Sequence, residues 1–163
     1  MLKMRSFLLL ASVLSAALLA NAQLSVQDQN KAIARRVFDE IFNQGKFEVA
    51  DEIYAKHFVN HGVSRDISLK EDQDAARGWK AGFPDLKMTV VMEIAEGDLV
   101  SVLYTGTGTN TGEWNGLPPT GKRIDGRGIT IWRIANGKIV EEWSEFDQLR
   151  IMKELGLISA SPK

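Results

Sequence analysis

The apolar positions change period once along the chain. Up to about residue 83 they recur every three or four residues, and from Leu86 onward they alternate. Ser25 to Asn43 predicts a helix, because Ile33, Val37 and Ile41 fall four apart, as do Phe38 and Phe42, and together make a wide apolar stripe. Ser25 with Asp28 forms a capping-box-like start, and Gly45 stops the helix. Phe47, Ala50, Ile53 and Tyr54 mark a short second helix, and His57 to His61 an extended or irregular segment. Ser68 with Glu71 opens a third helix, which runs towards Trp79 and Phe83 and ends before Pro84.

In the second half, Leu86, Met88, Val90, Met92 and Ile94 alternate with Lys87, Thr89, Val91 and Glu93, the pattern of a strand. Glu96-Gly97-Asp98 turns the chain into a second strand, Leu99 to Thr109. A loop rich in turn residues occupies 110–122. Ile124 to Ala135 predicts a third strand, Asn136-Gly137 a type I′ turn, and Lys138 to Asp147 a fourth. Leu149 to Leu157 predicts a short terminal helix. Helices first and strands afterwards imply α+β rather than α/β. The expected fold packs the N-terminal helices on a strongly curved antiparallel sheet, with a pocket between them.

The first 22 residues read differently. Lys3 and Arg5 precede an apolar run from Phe7 to Ala20, and Ala20-Asn21-Ala22 supplies small residues for cleavage before Gln23. That is the pattern of a secretory signal peptide, and the run is shorter than the roughly 20 residues that span a bilayer. The expectation is a leader over 1–22, one domain over 23–163, and a periplasmic location. The chain of 163 residues has no cysteine, which excludes disulfides, thiol nucleophiles and thiolate metal sites. Twenty basic against 21 acidic residues leave no basic excess, so nucleic acid is not an expected partner, and no membrane association is expected after cleavage.

The last strand carries the most chemistry. Strict alternation puts Ile139, Glu141, Trp143, Glu145 and Asp147 on one face and Val140, Glu142, Ser144 and Phe146 on the other. One face would then combine an indole with three carboxylates. In an apolar pocket desolvation would raise a carboxyl's pKa into the range useful for acid–base work; on an edge strand the same face would be solvated. A bulge would put Glu145 and Asp147 on opposite sides. His57 and His61 are too far apart in a strand to share a metal, so no metal is expected, and His61 at a pocket mouth is a candidate proton donor or acceptor. Trp79 and Trp143 are candidate pocket walls. Arg127, if inward, would pair with Asp147 or Glu145 or hold an anionic group. The run from Gly106 to Gly112 reads as a strand end and loop, because it opens no helix and lacks a phosphate-loop ending.

Several segments together resemble a known family. They are Phe58-Val59-Asn60-His61, Gly82-Phe83-Pro84-Asp85-Leu86, Glu96-Gly97-Asp98, Thr107 to Glu113, Gly116 to Lys122, and Trp132 to Trp143 followed by Asp147. Their order and spacing resemble the SnoaL-like polyketide cyclases, or ester cyclases, over about Lys31 to Leu157. The resemblance implies the cone-shaped α+β fold shared with nuclear-transport-factor-like proteins. It also implies ring closure by intramolecular aldol condensation on a small hydrophobic molecule, without cofactor or metal. Asp147 occupies the position of the family's general acid/base, and His61 that of a frequent early-loop histidine, with Asn60, Trp79, Arg127, Trp143 and Glu145 as pocket candidates. Dimers are common in the family, so a homodimer is an expectation. A non-catalytic binder of a hydrophobic ligand is the alternative. Epoxide hydrolysis is another, and would want an Asp–Arg–Asp set for which Asp125, Arg127 and Asp147 supply the residue types.

Overall fold

The computed structural model describes residues 26–158; the 1–22 leader and the Ser25 cap lie outside them. Helix α1, residues 26–36, continues without a break into a π-helical stretch, Val37–Phe42. Val37, Phe38 and Ile41 of its stripe are buried, and the Phe38 ring meets Tyr104 and Trp132 at 5.1 and 5.5 Å. Helix α2 is Val49–Ile53, followed at once by β1, Tyr54–His61, and by β2, Asp66–Ser68. Helix α3, Leu69–Gly82, opens on the expected capping box: Ser68 N donates to Glu71 Oε2 at 2.9 Å, and Ser68 Oγ accepts from Glu71 N. The strands β3, Lys87–Glu96, β4, Leu99–Thr109, β5, Arg123–Ala135, and β6, Lys138–Phe146, precede α4, Gln148–Glu154. Asn136 and Gly137 both have positive φ, as a type I′ turn requires.

The six strands lie in the order β2-β1-β6-β5-β4-β3. The meander β3 to β6 is antiparallel, as expected. The sheet as a whole is mixed, because β1 runs parallel to β6. The segment His57 to His61, expected to be extended or irregular, is extended and belongs to an eight-residue strand that takes up the free edge of β6 and begins at Tyr54, expected to lie in the second helix. The helices cover one face, where Val100, Val102, Trp132, Ile134 and Ile139 form the core with the α1 stripe. Among the described residues no helix is long and apolar enough to cross a membrane.

Two bulges correct the strict alternation. Val90 pairs with Tyr104 but Met92 with Leu103, so Val91 is an extra residue. Beyond it the pleat is inverted: Met92 and Ile94 are 54% and 61% exposed, and Glu93 turns to Arg35 of α1 at 2.7 Å. In β6, Ile139 pairs with Ile134 but Glu141 with Arg133, so Val140 is extra. The residues sharing the inner face with Ile139 are therefore Glu142 and Ser144, not Glu141 and Trp143. A bulge inserts one residue and flips every later side chain, which no period-two pattern reveals.

Candidate active site

Between α3 and the inner face of the sheet lies a cavity of about 260 Å³, at the small end of ligand pockets, which run from roughly 300 Å³ upward. Phe42, Trp79, Leu86, Ile124 and Phe146 give it a largely apolar lining. Gly106 and Gly126 face each other across β4 and β5, and the side chains of Met88 and Ile151 lie over them, 2.9 and 3.1 Å from where a Cβ would stand. Into this apolar space project two carboxyl groups, Asp72 from α3 and Glu142 from β6.

The two carboxyls are held differently. Asp72 accepts from Asn60 Nδ2 at 2.9 Å and from Gln73 Nε2 at 3.3 Å. Glu142 is 7% exposed and accepts one bond, from Trp132 Nε1 at 2.8 Å. Asn60 is also the register partner of Glu142 on the neighbouring strand, so one residue ties both acids to the sheet. Burial, and then the charge of Asp72, push the Glu142 carboxyl well above the usual carboxylate range. Burial also raises Asp72, but its two amide donors oppose the rise. Donors to the ionised form favour it, so the proton of the pair belongs on Glu142 and the charge on Asp72. This is the division a general acid and a general base need. Tyr54 is buried behind them, its phenol raised by burial and then by the charges of Glu142 and Asp72.

The residues expected from sequence divide into two groups. Asn60, Trp79 and Arg127 border the cavity, although Arg127 sits at an exposed position on β5. His61, Trp143 and Glu145 lie on the outer side. The His61 ring stacks on Trp143 at 4.8 Å, with Nδ1 3.1 Å from Asp66 and Nε2 3.5 Å from Glu141. Glu145 is exposed. Asp147 is exposed too and caps α4, its Oδ1 accepting from Arg150 N at 3.0 Å. Asp125 reaches Arg150 at 3.8 Å, not Arg127.

Asp72 and Glu142 escaped the sequence reading. For Glu142 the hidden step was the Val140 bulge. For Asp72 a signal was present: it falls on the same α3 stripe as Leu69, Ala76, Trp79 and Phe83. An acid on an apolar stripe is either a misread face or a buried functional group.

Residues 32–155 match the family model for SnoaL-like polyketide cyclases. Among curated proteins no sequence relative matches. The structure of AclR, a proposed hydroxylase from Streptomyces galilaeus, is 26% identical and covers 84% of this chain and 87% of its own, with a TM-score of 0.77. A proposed SnoaL-like polyketide cyclase from Jannaschia sp. CCS1 is 26% identical over 82% of this chain and 95% of that one, with a TM-score of 0.74. IdmH, a proposed polyketide cyclase from Streptomyces antibioticus, is 28% identical over 78% and 99%, with a TM-score of 0.69.

Proposed function

We propose, from the premise that this chain belongs to the SnoaL-like polyketide cyclase family, that it is an acid–base enzyme of the cyclase or isomerase type acting on a small apolar carbonyl compound. The observation that carries the reading is the pair of carboxyls, unequally held, in one largely apolar cavity. Asp72 removes a proton from the carbon beside a carbonyl, and the C–H electron pair becomes the enolate. The enolate carbon then bonds to a second carbonyl carbon of the same molecule, and the oxygen that receives the displaced electron pair takes the proton of Glu142. Asp72 now carries a proton and Glu142 a charge, and proton return restores the pair. Isomerisation uses the same transfers without the carbon–carbon bond. Holding both carbonyls in one small cavity makes the closure effectively unimolecular. The setting we propose is outside the cytoplasm, on the strength of the 1–22 leader pattern, with a homodimer as the assembly.

The acid/base role expected of Asp147 passes in this proposal to Asp72 and Glu142, because the Asp147 carboxylate is exposed and engaged in capping. The test is α-proton exchange of 1-indanone in D2O, followed by NMR. Asp72→Asn and Glu142→Gln should each lower the rate about 10²- to 10⁴-fold, and Asp147→Asn should leave it unchanged. The reverse pattern would return the role to Asp147. Binding of indanone with no exchange in the native protein would favour a ligand carrier.

A further inference from the structure

The cavity wall holds a second polar group that the carboxyl chemistry does not use. Tyr104 of β4 and Ser144 of β6 both line the cavity, and Thr130 of β5 lies buried between their strands. Thr130 Oγ1 and Ser144 Oγ are 2.8 Å apart, and the Tyr104 hydroxyl reaches over Gly128 towards them. The contact spans three strands because Tyr104 pairs with Gly128. A Cβ at 128 would stand 2.4 Å from Tyr104 Oη, so only glycine lets the phenol cross β5 to reach Ser144. Glu142 is two residues before Ser144 on the same face, about 6.5–7 Å along the strand.

Three hydroxyls carry three protons, and two suffice to join them in a chain. The third is free to point at a ligand without breaking the cluster. Each proposed transfer leaves negative charge on a carbonyl oxygen, and ring closure makes two such oxygens. Glu142 can serve one. We propose that the Tyr104–Ser144 hydroxyls bind the other, the enolate oxygen generated by Asp72, with Thr130 as the positioning residue that holds them. The substrate is then a neutral dicarbonyl compound whose two oxygens meet Glu142 and the hydroxyl cluster separately. This rests on the reading of the cavity as an acid–base site. The step moves no proton to the cluster: the C–H electron pair goes to the enolate oxygen, the proton to Asp72, and the hydroxyls only donate hydrogen bonds.

The probe is 1-indanone labelled with ¹³C at its carbonyl, with indane as the oxygen-free control. On the native protein the carbonyl infrared band should move to lower wavenumber on binding, and indanone should bind about tenfold tighter than indane. Tyr104→Phe keeps the ring and should abolish most of the band shift and the preference, with indane affinity unchanged. Ser144→Ala should give the same result more weakly, which guards against a folding defect in one variant. In the exchange assay Tyr104→Phe should lower kcat about 10²-fold at nearly constant KM. An unshifted band in the native protein, or an equal shift in Tyr104→Phe, overturns the inference. If Asp72→Asn and Glu142→Gln leave exchange intact, the acid–base reading falls instead, and the infrared band still reports on the hydroxyl cluster.

Discussion

Two adjacent glutamates of β6 occupy opposite worlds. Glu141, on the outer face, lies 3.5 Å from both His61 Nε2 and Arg133 Nε, with water beyond. Glu142, one residue on, faces a largely apolar cavity where Trp132 donates a hydrogen bond to it and the charge of Asp72 opposes its ionisation. An exposed ion pair contributes little, about 0–1 kcal/mol, because water screens it and the side chains must be ordered. A carboxyl without a cation in an apolar space instead keeps its proton. The same residue type is thus a solvated surface charge at 141 and a proton donor at 142. What separates them is strand parity.

Inserting one alanine between Glu141 and Glu142 would break that contrast outright. Alternation beyond the insertion would turn Glu142 and Ser144 outward and drive Trp143 and Glu145 inward. Burying Glu145 without a partner should cost on the order of 3–5 kcal/mol. Deleting Val140 should be milder, because the shortened strand still alternates with Ile139 and Glu142 inward and Glu141 outward. Circular dichroism on heating should show a much lowered or lost cooperative transition for the insertion; a native-like melt would refute the role given to strand parity.

A gentler test uses pH. A buried carboxyl with a raised pKa keeps its proton in the folded chain while the unfolded chain releases it. The stability from this source is full below the ordinary carboxylate range and is lost as pH rises towards the raised value. Glu142 and Asp72 are both raised, so the native Tm should fall as pH rises above the ordinary carboxylate range. Glu142→Gln should flatten that fall, and Glu141→Gln should not. Parallel Tm curves for the native protein and Glu142→Gln would contradict the assignment.

Smaller effects belong to the rim and the outer face. Asp147→Ala removes a helix cap and should cost about 1 kcal/mol by urea titration, with indanone exchange unaffected. Glu145→Gln, at an exposed position, should stay within about 0.5 kcal/mol and leave exchange unchanged. A drop in exchange for either would move the working site towards the end of β6.

The order of elements was legible because each has a local cause. Apolar spacing of four made α1, Ser68 with Glu71 started α3, and Asn136-Gly137 forced the turn between β5 and β6. The family followed from motif order alone, and with it the α+β fold with helices on one face of the sheet. Asn60, Trp79 and Arg127 were also found at the cavity. What the chain could not announce was parity. The bulges at Val91 and Val140 arise from how neighbouring strands pair and bend, and they decide which face every later side chain takes. The parallel pairing of β1 with β6 is equally non-local, and it sets Asn60 beside Glu142. Local propensity determined the elements; only the packed sheet decided that Asp72 and Glu142 would share one cavity, because burial and mutual charge exist nowhere along the unfolded chain.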